Sequence, residues 1–362
     1  MFYHFLYPLS DFFFAFNIFK YITFRAGMSI VTSFLLCVIF GPYVVRKLAL
    51  LKIGENIRKE ECLTLYNLQP HKQGTPTMGG LLIISSILIS VFLWADLSNK
   101  YILLCMVSSF WLGLVGFRDD YLKLVKKKSK GLSAKAKLFW QVLLGLVIGV
   151  VLIFSGEFST VIDIPFLKRV VWDLGLFYIF FIVLVICASS NAVNITDGLD
   201  GLAIGLVMMV ALAFSILSYV TGHAVFSSYL FIPYIPQAAE LTVFCAAIFG
   251  ASLGFLWFNC YPANVFMGDT GSLALGGMLG TIAVLIKKEL LLGLVGGVFV
   301  IEVISVILQV ASFKLTGKRI FKMSPLHHHF QMKGWNESKI IIRFWIIGII
   351  FIIFTLMTLK LR

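Results

Sequence analysis

Five aspartates stand where long apolar runs end: Asp119, Asp120, Asp197, Asp200 and Asp269. A carboxylate beside hydrocarbon is costly, so a group of them marks a functional site by default. Glycines accompany three of them, at Gly198, Gly201 and Gly268. Hard oxygen donors next to backbone that permits close approach fit a cation and a phosphate held together at a bilayer surface.

Each acid sits in a recognisable segment. In Gly116-Phe117-Arg118-Asp119-Asp120 the two carboxylates are neighbours, which diverge by about 100° on a helix. One can enter a cleft while the other caps or pairs, with Lys123 and Lys126 near enough to neutralise them. In Asn191 to Gly201, Asp197 and Asp200 are three apart, and one helical turn would put both on one face, with Asn194, Gly198 and Leu199 beside them. A polar capping turn is the plainer reading of the same residues. In Asn259 to Ser272, Pro262 stops a helix and Phe266 offers a ring on which a base can stack. Asp269 precedes the next apolar run, where it either caps that helix or binds a divalent cation beside a substrate phosphate.

Two further segments lack acids. Pro325-Leu326-His327-His328-His329-Phe330 places three imidazoles in a row. Consecutive side chains diverge and seldom close a zinc site alone, so phosphate or carboxylate recognition, or a satisfied loop, suits them better. His71 to Gly80 contains Lys72, Thr77 and glycines of a kind that suit a diphosphate. Glu302, Ser305 and Gln309 share a helix face and read as glue between helices.

The frame that must position these residues is a membrane. The chain has 362 residues, 60% hydrophobic and 13% charged, where a soluble domain carries about 25% charged residues. The expected class is an all-α polytopic membrane protein. A span needs about 20 apolar residues. Ten fit: 27–49, 77–95, 100–118, 135–155, 172–192, 201–221, 240–258, 270–286, 290–313 and 340–359. Residues 1–362 read as a single integral membrane domain, with 1–25 an aromatic interfacial segment broken by Pro8, Asp11, Asn17 and Lys20. Lys and Arg number twenty in the connections after the odd spans and nine on the other side. The richer side is cytoplasmic, both termini face out, and the five acids lie at the cytoplasmic face. The net charge of +13 then reflects topology and calls for no nucleic acid. Six cysteines without a CxxC pair give neither a disulfide framework nor a thiolate zinc site.

Taken in order, Gly74 to Gly80, Asp119-Asp120, Lys130-Gly131-Leu132, Asn194 to Gly201, Asn259 to Ser272 and Pro325 to Phe330 resemble the polyprenyl-phosphate N-acetylhexosamine-1-phosphate transferase superfamily. The triple histidine is similar to its muramoyl-pentapeptide branch. The resemblance covers nearly the whole chain. It implies transfer of phospho-N-acetylmuramoyl-pentapeptide from UDP to undecaprenyl phosphate, giving lipid I and UMP, with Mg²⁺ as cofactor. It implies ten helices, a broken ninth helix, a homodimer, and a place in the bacterial inner membrane, in peptidoglycan synthesis. By motif, Asp269 is implied as the Mg²⁺ ligand, Asp119 as the residue acting on the lipid phosphate, and Asp120 as its helper. Lys72, Thr77, Asn194, Asp197, Gly198, Leu199, Asp200, Asn259 and Phe266 are implied contacts of UDP-MurNAc-pentapeptide, and His327, His328 and His329 substrate-side residues. Two positions depart from the pattern: Arg118 stands where an apolar residue is usual, and Gln331 where an acid is common.

The chemistry so implied is attack of one phosphate on another. A polyprenyl phosphate is largely ionised near neutral pH, its second pKa being about 6, so a base has little to remove. Direct displacement and a covalent phospho-aspartate intermediate both satisfy the residues. The rival classes are a cation-coupled transporter, whose acids would sit near mid-span at repeats, and a scaffold for wall assembly.

Overall fold

In hydrocarbon a chain must satisfy its backbone groups within itself, so the apolar runs become helices. The computed structural model describes residues 1–50, 72, 74–124, 126, 131–156, 158–164 and 171–359. Readings that rest on Cys62, His71, Gln73, Lys130, and the basic residues at 52–59, 127–128, 168–169 and 360–362 lie outside the described residues.

A short helix α1 (Phe2–Leu6) and two 3-10 turns precede α2 (Ile22–Leu50). Then come α3 (Gly80–Trp94), α4 (Lys100–Leu124) and α5 (Ala134–Phe154). A two-stranded antiparallel ribbon, β1 (Val161–Asp163) with β2 (Val171–Asp173), pairs Val161 with Asp173. It leads to α6 (Tyr178–Thr196), α7 (Leu202–Gly222), α8 (Ala224–Tyr229) and α9 (Leu241–Asn259). The last part is α10 (Gly268–Leu285), α11 (Glu289–Val295), α12 (Gly297–Thr316), α13 (Leu326–Gln331) and α14 (Glu337–Thr358). Among the described residues nine helices are long and apolar enough to cross a membrane, and α3 is a shorter apolar helix.

Three differences from the sequence reading have local causes. The first span begins at Ile22 rather than 27, because nothing between Ile22 and Gly27 breaks the helix. The second has 15 residues, about 22 Å of helix at 1.5 Å each, because residues 76–79 are drawn into backbone pairing instead. The ninth, an unbroken run over 290–313 by hydropathy, breaks at Gly296 into α11 and α12, as the resemblance implies. The ribbon is an addition that three-residue strands do not announce in sequence.

The core is built around α10. Of its most apolar stretch, 89% is buried inside the protein, against 22% for α12. It packs on α4 and α6, and neighbouring α9 packs on α2 and α7. Small residues permit this: a Cβ at Gly276 would lie 2.4 Å from the Ser189 carbonyl oxygen, and one at Gly280 would lie 2.2 Å from Ser189 Oγ. Close backbone approach of this kind drives helix association where no hydrophobic effect operates. Successive long helices alternate in direction. Residues 76–80, 119–137, 194–202, 259–270 and 325–337 therefore gather at one end.

The N-terminal segment is fastened to the other end. The Met1 ammonium donates to the Phe92 carbonyl at 2.6 Å, and Tyr3 lies over the Arg25 guanidinium at 4.5 Å. Buried Arg25 forms a two-pronged pair with Glu240, with contacts of 2.7 and 2.5 Å. At the same end, Lys287 reaches Tyr178 Oη at 2.7 Å and lies 3.6 Å from Glu289. Lys288 pairs with Asp163 at 3.0 Å. Tyr178 donates a short hydrogen bond to Glu289.

Candidate active site at one end of the helices

Asp119 and Asp120 lie in the last turns of α4, and Asp269 in the first turn of α10. Gly116 lets these helices touch: a Cβ there would come within 2.2 Å of the Asp269 carbonyl oxygen. The three acids bring one oxygen each to within 4.8 Å of one another. They are the group of His, Cys, Asp and Glu side chains, among the described residues, placed to hold a metal ion.

The neighbouring aspartates divide their tasks, as adjacent residues on a helix must. Asp120 turns onto α10. Its Oδ2 accepts from Thr270 N–H at 2.9 Å and from Thr270 Oγ1 at 2.6 Å, and its Oδ1 accepts from Asp269 N–H at 3.2 Å. It thus caps α10 from a different helix, satisfying donors that a helix start leaves open. Asp269 is released from capping its own helix, and its side chain faces Asp119. Gly268 makes the turn, with φ +73°, where a Cβ would sit 2.7 Å from Asp120 Oδ2 and 3.0 Å from Thr77 Oγ1. Thr77 is buried at this seam.

Like charges this close need cations between them. Lys123 lies 2.5 Å from Asp119 Oδ2 and 3.1 Å from Asp269 Oδ2. Lys137, at the start of α5, lies 2.9 Å from Asp119 Oδ2 and also contacts Asp269 Oδ2. Asp119 Oδ1 accepts from Leu132 N–H at 2.6 Å, which ties in the segment before α5. Two ammonium groups therefore bridge two carboxylates, with Asp120 adjacent. Lys123 had a sequence signal, since it is four residues from Asp119 on one helix. Lys137 had none.

A second group surrounds Lys72. Its ammonium is 2.7 Å from Asp200 Oδ1 and 2.7 Å from Glu337 Oε1. Burial opposes its charge, but the Glu337 and Asp200 carboxylates outweigh burial and hold it above the usual lysine range. Asp200 Oδ2 accepts from Ala263 N–H at 3.0 Å. Asn259 accepts from Gly201 N–H at 3.0 Å and donates to the Val265 carbonyl at 2.8 Å. The Phe266 ring lies 5.8 Å from the Lys72 ammonium. Its backbone pairs with the lysine's own strand of chain, Phe266 N–H donating to the Pro76 carbonyl at 2.7 Å.

Of the two readings open for Asp197 and Asp200, a helical turn or a polar capping turn, the structure has the second. α6 ends at Thr196 and α7 begins at Leu202, so the two acids belong to a turn. Gly201, at φ +79°, stops the helix from running through. Asp197 N–H donates to the Asn194 carbonyl at 3.2 Å, Leu199 is buried, and Asp200 points inward to Lys72. Two backbone N–H groups of the turn are engaged within the protein: that of Asp200 by Glu337 at 2.9 Å, that of Gly201 by Asn259.

The histidines diverge as their spacing requires. His327 is fully buried against the same turn: a Cβ at Gly198 would stand 2.4 Å from His327 Nε2. Glu302, inside α12, accepts the His327 N–H at 3.2 Å and sets Oε2 at 3.2 Å from Nδ1. Two turns on, Gln309 accepts from Ile320 and Phe321 N–H at 3.1 and 2.9 Å. The polar face of α12 thus holds the histidine segment. His328 Nδ1 meets Gln331 at 2.8 Å, and His329 Nδ1 accepts from Lys322 N–H at 3.1 Å. Burial, then the neighbouring His327, pushes His328 down to about 3, so its ring is neutral. Gln331, one of the two departures from the family pattern, is its partner.

Comparison with known proteins gives one answer. A model of glycosyl transferase family 4 matches residues 101–287, and phospho-N-acetylmuramoyl-pentapeptide-transferase signature 1 matches residues 72–84. The phospho-N-acetylmuramoyl-pentapeptide-transferase of Thermodesulfovibrio yellowstonii is 52% identical over 365 residues, all of both chains. Those of Citrifermentans bemidjiense and Pelobacter propionicus are 53% identical over 364 and 362 residues, again end to end. The signature spans Lys72 and Thr77, and the family model spans all five aspartates. The chain belongs to the phospho-N-acetylmuramoyl-pentapeptide-transferase family.

Proposed function

We propose that this membrane protein transfers phospho-N-acetylmuramoyl-pentapeptide from UDP to undecaprenyl phosphate, yielding lipid I and UMP. The observation that carries this reading is the Asp119–Asp269 pair bridged by Lys123 and Lys137 at one end of spanning helices. The excess of Lys and Arg in the connections on that side supports a cytoplasmic position for this end, in the inner membrane. There a soluble nucleotide and a lipid phosphate meet without either crossing hydrocarbon.

Both reactants are anions, so the site must supply positive charge where they approach. Lys123 and Lys137 do so beside the acids, and each is attracted to a phosphate as to a carboxylate. Asp269 and Asp119 suit Mg²⁺, which prefers one or two carboxylates with phosphate and water filling the rest. Asp120 has its oxygens committed to α10 and serves by fixing where Asp269 stands. When bound, such an ion neutralises diphosphate charge and stabilises the leaving nucleotide. Phe266 and the Asn194–Asp200 turn form the nucleotide end, and His327 closes that turn from behind. Two fixed carboxylates within reach of two lysines favour direct attack by the lipid phosphate, which arrives already ionised.

The assay is UMP and lipid I formation from UDP-MurNAc-pentapeptide and undecaprenyl phosphate in detergent. Turnover stops on chelation and returns with Mg²⁺. Solute flux in vesicles without UMP release would overturn the reading in favour of transport; the acids lie at helix ends and not at mid-span, as a transporter would place them.

A further inference from the structure

Glu337 entered none of the sequence motifs and lies outside both matched family segments. It opens α14, is buried, and its Oε1 accepts two donors: Lys72 Nζ at 2.7 Å and Asp200 N–H at 2.9 Å. Through these bonds the start of the last long helix holds a residue 265 positions earlier and the turn between α6 and α7. The Lys72 ammonium is shared by Asp200 and Glu337, so the three groups carry one net negative charge in a buried place. One ammonium held between two carboxylates offers a diphosphate less than the two ammonium groups beside Asp119 and Asp269 do. Beside it stand the Phe266 ring and Asn259, whose amide ties the turn to the 259–267 loop. Those surroundings suit the uncharged base of a nucleotide: a ring to stack on and fixed hydrogen-bonding groups.

We propose that Glu337 is a positioning residue for the base-binding end of the nucleotide site. It acts by holding Lys72 and Asp200 as one wall, and Lys72 serves that wall rather than the diphosphate. The inference rests on the transferase reading given above. Its two contacts are acceptor contacts, which a glutamine oxygen can reproduce and a methyl group cannot.

The test is UMP binding by calorimetry to the full-length protein in detergent, with ribose 5-phosphate as the probe that lacks a base. Losing hydrogen bonds to charged partners predicts that E337A weakens UMP about tenfold or more, while E337Q stays within about threefold of wild type. Ribose 5-phosphate binding is the same in all three. In turnover, the E337A effect falls on the KM of the nucleotide substrate and not on that of the lipid. Should E337A prove unstable, E337D keeps the charge but cannot span both partners, and it shows the same loss. UMP bound equally by wild type and the folded variants overturns the role of Glu337. Equal weakening of UMP and ribose 5-phosphate returns Lys72 to the phosphates and overturns it too. UMP that fails to bind wild type overturns the transferase reading itself.

Discussion

The two ends of α10 carry buried charge of opposite kinds, and the contrast separates a reactive arrangement from a fastening one. At its start stand Asp120 and Asp269; just past its end stand Lys287 and Lys288. Both sets agree with the helix dipole, which favours anions at the first turn and cations at the last. Sign alone therefore says nothing about function. What differs is pairing. Past the end, each charge has its own partner: Lys288 with Asp163, Lys287 with Glu289 and the Tyr178 hydroxyl. At the start, carboxylates crowd within 4.8 Å and share two ammonium groups, an arrangement that a divalent cation and a phosphate can enter by exchange. Unshared pairs staple; shared ones can be traded.

The sharpest way to break this contrast is D269N. It removes one charge from the shared set and leaves the Asp120 cap in place. Since a metal centre contributes several kcal/mol of charge stabilisation, turnover falls on the order of a hundredfold or more, with the melting temperature little changed. Full activity in that variant, still requiring Mg²⁺, would remove Asp269 from the site.

The opposite end predicts the reverse pattern, stability without turnover. Burial lowers Lys287 to about 7 from 10.5, so its contribution to stability is full above 10.5 and is lost as pH falls through about 7. K287M removes that dependence from the melting temperature, and its turnover stays within about twofold, as expected for a distant, independent site. A large loss of turnover in K287M would show that the two ends are coupled.

The smallest expected effect belongs to His328. Held neutral by burial, it does not titrate in the working range. H328Q therefore leaves the acidic limb of the pH–rate profile where it was. A shift of that limb would mean the ring gains a proton when substrate is bound.

Much of this was legible in sequence, and the limits have physical reasons. Apolar runs disclose helices because the bilayer leaves the backbone no alternative, and acids at run ends disclose a site because nothing else justifies their cost there. The Asp119–Asp120 division followed from helical geometry alone. The Asp197–Asp200 spacing left a helical turn and a capping turn both open, and Gly201, in the left-handed region, decides for the turn. Lys137 and Glu337 were invisible, since none of their partners lies within a helical turn in sequence, the farthest being 132 and 265 residues away, and the contacts form only when helices assemble. Glu302 was singled out as glue, and it does join elements, but what it joins is a histidine, His327, and not another long helix.

The cap that Asp120 supplies to α10 has a mechanical consequence. Two helices share one carboxylate at their crossing, so neither can slide without undoing the first turn of the other. The same pin fixes where Asp269 can stand relative to Asp119, like a vice whose jaws are held by one bolt.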